Sequence, residues 1–416
     1  MINFIKIINK KLSLFSYLII NNKFVNNNNK IFKKILNIIF ISFIIYSYIL
    51  LNNLNNKYII YNRRDIKNIE QYLKICNNNK LLNNKTFKKV YNPKISIISP
   101  VYNREKYILR FLRSIQNQYF DEIEIILVND GSNDNSVKLI KNSQIMDERI
   151  ILINHYKNRG TFISRNHGVF IAKGEYIILP DPDDILSNNI LQNCYELAIK
   201  YGFDMIRFNL YLGNNKIFFE DLVNDLNSRP IYQPELSSYL FYGNKNLQQI
   251  DFNVANKFIK REIYIKAINS LKNFFLNQYM INQEDGIINY ILYRTANSFF
   301  FFKKIGYYYL PNEQSITLTF NKNYDDTIKY IFLHLKFVFE NTKNNKHEKN
   351  MTNCLFGRLY NGVLSESINL ITKNYSFFID IINQYLKCIY ISSDNIAKLN
   401  KLKSIILEKQ KINQFT

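Results

Sequence analysis

Three aspartates fall within four residues at Asp181-Pro182-Asp183-Asp184, directly after the predicted strand Glu175–Leu179. Like charges so close repel, and a fold accommodates them most easily beside a cation. Magnesium or manganese is a hard ion that takes carboxylate oxygens and shares them with phosphate. The alternative is a cap for the helix predicted from Leu186, because Asp suits an N-cap and acids suit a helix N-terminus. One aspartate could serve that end; three exceed it. A second acidic pair, Glu284-Asp285, opens a helical run through Ile287, Ile288, Ile291 and Leu292. Taken by itself, that pair reads as a helix cap.

The elements that must position these groups alternate. Ile95–Ser99 is a short apolar strand stopped by Pro100, and Glu105–Gln118 has Ile108, Phe111, Leu112 and Ile115 on one helical face. The pattern repeats with strands at Glu122–Val128, Arg149–Asn154 and Glu175–Leu179, and helices at Ser136–Lys141, Phe162–Ala172 and Leu186–Tyr201. Such alternation with short loops predicts an α/β fold, a mainly parallel sheet flanked by helices. Ligands bind such sheets outside the carboxyl ends of the strands. Tyr102-Asn103, Asp130-Gly131-Ser132 and Asp181–Asp184 all sit at those ends.

Four ordered pieces carry a family resemblance: Ser99-Pro100-Val101-Tyr102-Asn103, then Val128 through Asp134, then Asn158-Arg159-Gly160 with Ser164-Arg165-Asn166-His167-Gly168, then the aspartate cluster. Together they resemble glycosyltransferase family two across roughly Lys94–Gly213, with weaker matches to Thr317. The resemblance implies the Rossmann-like GT-A fold and an inverting transfer from a nucleotide-diphosphate sugar, UDP-linked, to a hydroxyl on a glycan or glycoconjugate. It implies donor contacts at Pro100, Tyr102, Asn103, Asp130, Arg165 and Asp181. Tyr102 would stack on the base and Asp130 would hydrogen-bond it. Manganese or magnesium would be held by Asp183 with Asp181 and Asp184. Gln283-Glu284-Asp285-Gly286 resembles the family's Glu-Asp motif, whose aspartate is the catalytic base. A hydroxyl is a poor nucleophile, and a carboxylate in reach can take its proton as it attacks. Pro182 departs from the small residue usual there and restricts Asp181 toward extended angles.

Five regions are expected. Residues 1–34 are a basic tail with seven lysines and no acid. Residues 35–52 are a transmembrane anchor whose apolar core Ile35–Leu51 lacks charge, Pro and Gly. Residues 53–93 are a polar stem, 94–320 the GT-A domain and 321–416 a helical C-terminal region. The lysine bias predicts a cytoplasmic N-terminus and a luminal domain, a single-pass arrangement in the Golgi or endoplasmic reticulum. The formal charge of +22 comes from scattered lysines, not a patch, so no nucleic-acid partner is expected. Cys76, Cys194, Cys354 and Cys388 are too dispersed for a metal knuckle. Competing functions are a catalytically inactive nucleotide-sugar-binding protein and a dolichol-phosphate sugar synthase; the intact acids oppose the first and the topology opposes the second. A processive synthase would need several spans and a Gln-x-x-Arg-Trp motif, and the chain has no Trp.

Overall fold

The computed structural model describes residues 63–78, 86–212, 229–233, 253–271, 284–310, 324–341, 375–387 and 391–415, together with residues 236, 312, 352, 353 and 356. The expected anchor, residues 35–52, lies outside them. Among the described residues no helix is long and apolar enough to cross a membrane.

The centre is a nine-stranded sheet. Its first half follows the alternation of the sequence: β1 (Ile95–Val101), α2 (Ile108–Gln116), β2 (Ile123–Asn129), α3 (Ser136–Gln144), β3 (Ile150–Asn154), α4 (Thr161–Ile171) and β4 (Tyr176–Ile178), all preceded by α1 (Arg63–Asn77). The strands β1 and β2 are buried at every position, which explains their near-continuous apolar sequences. Alternate side chains serve opposite faces: Ile95 and Ile97 pack with α2, while Ile98 packs with α4. Gly168 on α4 permits that second contact. A Cβ there would lie 2.3 Å from Ile98 Cγ2, so only glycine lets the helix settle on β1.

The second half departs from the expected sheet. It comprises β5 (Ile185–Leu186), α5 (Ile190–Tyr201), β6 (Met205–Leu212), β7 (Ile231–Tyr232), β8 (Lys257–Lys260), α6 (Arg261–Asn269), α7 (Glu284–Thr295) and β9 (Ser298–Tyr309). The strand order is β3-β2-β1-β4-β8-β6-β9-β5, with β7 also on β9. Pairs β1–β2, β1–β4, β2–β3 and β6–β9 are parallel; β4–β8, β6–β8, β5–β9 and β7–β9 are antiparallel. The sheet is therefore mixed: parallel ladders carry most of its register, as expected, and antiparallel pairs join its second half. The β–α alternation ends at Tyr201, and β8 then inserts between β4 and β6 against their direction.

Two smaller differences have local causes. Pro100 continues β1, opposite Val128, instead of ending it. Because β4 pairs only with Ile95–Ile97, the other side of β1 carries no ladder at Pro100, and its missing N–H is not needed there. The segment expected as a stem contains α1, whose Ile69 and Cys76 are buried and pack with Tyr72, Leu73, Ile185, Tyr211 and Tyr308. The 69, 72, 73, 76 spacing is one helical face. Beyond β9, helices α8 (Tyr324–Asn341), α9 (Tyr375–Leu386) and α10 (Ser393–Phe415) extend the core on the α4 side through Phe332, Leu335, Phe378, Ile382, Leu399 and Ile406. The helix expected at Leu355–Ile371 lies outside the described residues, Phe356 excepted.

Candidate functional site

Two loops at the carboxyl ends of β1 and β2 are tied to each other. Asn103 N donates to Ser132 Oγ (3.0 Å), and Asn133 N donates to Asn103 Oδ1 (2.9 Å). Glu105 N donates to Asp134 Oδ2 (2.9 Å), and Asn135 N returns a bond to Glu105 Oε2 (2.9 Å). Asn103 adopts φ 52°, a left-handed value that Asn tolerates better than most residues. Gly131 has φ +76°, and a Cβ there would meet the backbone of Lys157 and Asn158. This frame leaves the ring of Tyr102 exposed at the end of β1. Pro100 is buried and shapes the strand end without offering a polar contact.

Asp130 is already engaged within the fold. Its Oδ1 accepts from Arg159 N (2.8 Å) and lies 2.9 Å from His155 Nδ1, while Oδ2 accepts from Gly160 N (2.9 Å). The residue is buried. A helix N-terminus leaves N–H groups without partners, and Asp130 satisfies two just ahead of α4. His155 continues the chain to His167 Nδ1 at 2.9 Å. The buried carboxylate thus ties β2 to the segment that leads into α4.

The aspartate cluster divides its labour. Asp184 is buried, with Oδ2 accepting from Tyr307 Oη (2.7 Å) and Oδ1 from Leu310 N (2.9 Å). Both oxygens fasten the loop to β9. Tyr307 Oη also accepts from Asp181 N (3.0 Å). Asp183 Oδ2 accepts from Asn312 Nδ2 (2.6 Å) and lies 3.4 Å from Arg104 Nε. Arg110 donates to the Asp183 carbonyl. Burial, then Asp181, raises the Asp183 carboxyl above its usual range, against Arg104 and Asn312. Burial and the neighbouring aspartates raise Asp184 further.

Arg165, on α4, joins this cluster to α7. Its Nη2 donates to Asp181 Oδ1 (2.7 Å), and its Nη1 to Asp285 Oδ1 (2.5 Å) and Glu284 Oε1 (3.3 Å). Burial opposes its charge, but the three carboxylates outweigh that and hold the guanidinium protonated. Burial, reinforced by Asp285 and opposed by Arg165, pushes Glu284 up to about 8. Asp285 is also raised by burial, against Arg165. The three acids differ in access: the side chain of Glu284 is 8% exposed, that of Asp285 28% and that of Asp181 39%. Asp285 Oδ2 accepts from Val254 N at 3.3 Å. Asp181 and Asp285, far apart in sequence, thus share one guanidinium and both reach the surface.

The donor chemistry suits a divalent cation. Five carboxylates (Asp181, Asp183, Asp184, Glu284 and Asp285) face three guanidiniums (Arg104, Arg110 and Arg165) within this network. Among the described residues no three acid, His or Cys side chains form a ready-made metal cluster. Magnesium characteristically takes one or two carboxylates plus substrate phosphates, so Asp183 with Asp181 is a fitting pair. Arg104, Arg110, Tyr307 and Asn312 escaped the sequence reading. Arg104 directly follows Tyr102-Asn103, and only that adjacency could have drawn attention to it.

The family model described as glycosyl transferase family 2 matches residues 96–267. Glycosyltransferase GlyG of Streptococcus pneumoniae is 35% identical over 117 residues, 28% of this chain and 39% of that protein. The uncharacterized glycosyltransferase EpsJ of Bacillus subtilis is 29% identical over 227 residues, 54% of this chain and 63% of its own length. The chain therefore spans less than two thirds of either relative. The crystal structure of S. aureus TarS 1–349 in complex with UDP-GlcNAc superposes with a TM-score of 0.58 at 15% identity, over 78% of this chain and 92% of that one, a likeness of fold.

Proposed function

We propose that this chain, a member of glycosyltransferase family 2, transfers a sugar from a UDP-linked nucleotide sugar to a hydroxyl of a glycan or glycoconjugate, inverting the anomeric carbon. The observation that carries the reading is Asp285: a partly exposed carboxylate held within one ion network with Asp181 at the strand ends. Asp285 takes the proton of the acceptor hydroxyl as it attacks. Tyr102 offers an aromatic face to the base, and Asp181 faces the donor. Arg104 lies beside Asp183, placed to meet the diphosphate. A manganese or magnesium ion held by Asp183 and Asp181 would supply charge neutralisation of the departing diphosphate. The UDP preference is supported by the UDP-GlcNAc complex of TarS.

The test is thermal stabilisation of the protein by UDP-, GDP- and CMP-sugars with manganese present. A UDP-sugar should raise Tm above the others; no shift with any nucleotide sugar would reject the reading. Membrane anchoring through Ile35–Leu51, with the domain luminal in Golgi or endoplasmic reticulum, belongs to the same proposal and rests on the lysine asymmetry. Protease digestion of the C-terminal domain in intact microsomes would reject it.

A further inference from the structure

Arg165 stands apart from the other cations of the site. Its side chain is 2% exposed, so it has almost no surface to offer a ligand. Three acids from two distant segments converge on it. Its own helix is held on several sides: Gly168 seats α4 on Ile98, Asp130 caps its start, and Tyr264 Oη on α6 donates to Asn166 Oδ1 at 3.0 Å. The carboxylates, by contrast, come from the loop after β4 and from the first turn of α7. Arg165 is therefore the fixed member, and the acids take their places from it.

We infer that Arg165 is a positioning residue that fixes Asp285 relative to Asp181, so that the base meets the acceptor hydroxyl at the donor's anomeric carbon. This rests on the reading of Asp285 as base, and it differs from the donor-contact role that the family resemblance implies for Arg165. Geometry supports it in two ways. The fork uses separate nitrogens for the two sides, Nη2 for Asp181 and Nη1 for Asp285, which sets their separation as a single point charge would not. Asp181 stays on Nη2 and keeps the guanidinium paired when Asp285 becomes neutral on accepting a proton, with Glu284 beside Nη1. No buried cation is stranded during the reaction.

The experiment uses the full chain and two readouts: UDP release from the UDP-sugar that gives the largest stabilisation, and UDP affinity by calorimetry. Arg165→Lys keeps the charge and loses the fork. It should lower kcat by about 100-fold, the scale of an ångström-level misplacement, with UDP affinity near wild type. Adding ethylguanidinium to Arg165→Ala should restore part of the rate. Glu284→Gln, which keeps shape and fold, should give a smaller fall in kcat, again without loss of UDP affinity. A parallel loss of UDP affinity and rate in either Arg165→Lys or Glu284→Gln overturns the inference. So does wild-type turnover in Arg165→Lys. Asp285→Asn runs beside them: normal turnover there rejects the base itself, whereas its loss together with an active Arg165→Lys rejects the positioning role alone.

Discussion

The two sides of the candidate site are built by different means. The side around β1 and β2 is held by short-range chemistry, in which backbone N–H groups of one loop meet side-chain oxygens of the next: Asn103 with Ser132, Glu105 with Asp134, Asn135 with Glu105. The side around α7 and β9 is held by charge and by contacts far apart in sequence, with Arg165 reaching Asp285 and Tyr307 reaching Asp184. Such hydrogen bonds fix shape at about 1 kcal/mol each, and about 1.5–3 kcal/mol where a carboxylate accepts. Buried ion pairs leave an exposed debt of charge when one partner goes, and that costs about 3–5 kcal/mol. The first side is therefore expected to yield gradually to substitution and the second abruptly.

The sharpest way to separate the sides is Asp285→Asn. It keeps the shape of the α7 side, yet turnover should fall by about two to four orders of magnitude while UDP affinity, a property of the other side, stays near wild type. Loss of UDP binding in that variant would mean that the sides are not separable. Gly168→Ala is next. The added methyl must push Ile98 or lift α4, an overpacking that costs about 1–3 kcal/mol. Denaturant titration should register that cost, and because α4 carries Arg165, kcat should drop more than UDP affinity. Ser132→Ala attacks the other side: it removes the acceptor for Asn103 N, and UDP affinity should weaken by about fivefold, one hydrogen bond's worth, with kcat kept. An unchanged affinity would show that the loop does not need this tie.

The mildest test is pH. Glu284 is raised to about 8, chiefly by burial, so the folded state holds its proton more tightly than the unfolded chain does. Stability from this group is complete below the ordinary glutamate range and is lost as pH rises through about 8. Tm should therefore decline between pH 5 and 8 in the wild type. Glu284→Gln, which cannot ionise, should flatten that decline. An equal slope in both proteins would remove Glu284 from the account.

The same division decides what the sequence made visible. The β1–β4 half was legible because each strand there is a near-continuous apolar run and each helix has its own apolar stripe, as in Ile108, Phe111, Leu112 and Ile115. The carboxylates at 181–184 and 284–285 were legible because acids ending an apolar strand or opening a helix are conspicuous. Their separate employments were not. Nothing local distinguishes Asp184, bound by Tyr307 and Leu310, from Asp183, because the partners lie more than 120 residues away. The resemblance marked Asp130 as a donor contact, but nothing local showed that it also binds Arg159 N and Gly160 N, about 30 residues on. The mixed order of the sheet was hidden for a like reason: the direction in which β8 enters depends on the chain between Leu212 and Lys257, where no element announces itself in the sequence.

Helix α1 bears on how the chain can be dissected. The family match begins at residue 96, and a fragment cut there would look like a whole domain on paper. It would lack Tyr72, whose hydroxyl donates to the Leu186 carbonyl at 2.9 Å just past the aspartates. It would also lack Phe87, which pairs with the segment before β3 and lies under the guanidinium of Arg149. The shortest piece that keeps both braces starts at Arg63. A protein trimmed for solubility at residue 63 should retain the site, and one trimmed at residue 94 would expose the Ile185–Tyr308 patch that α1 covers.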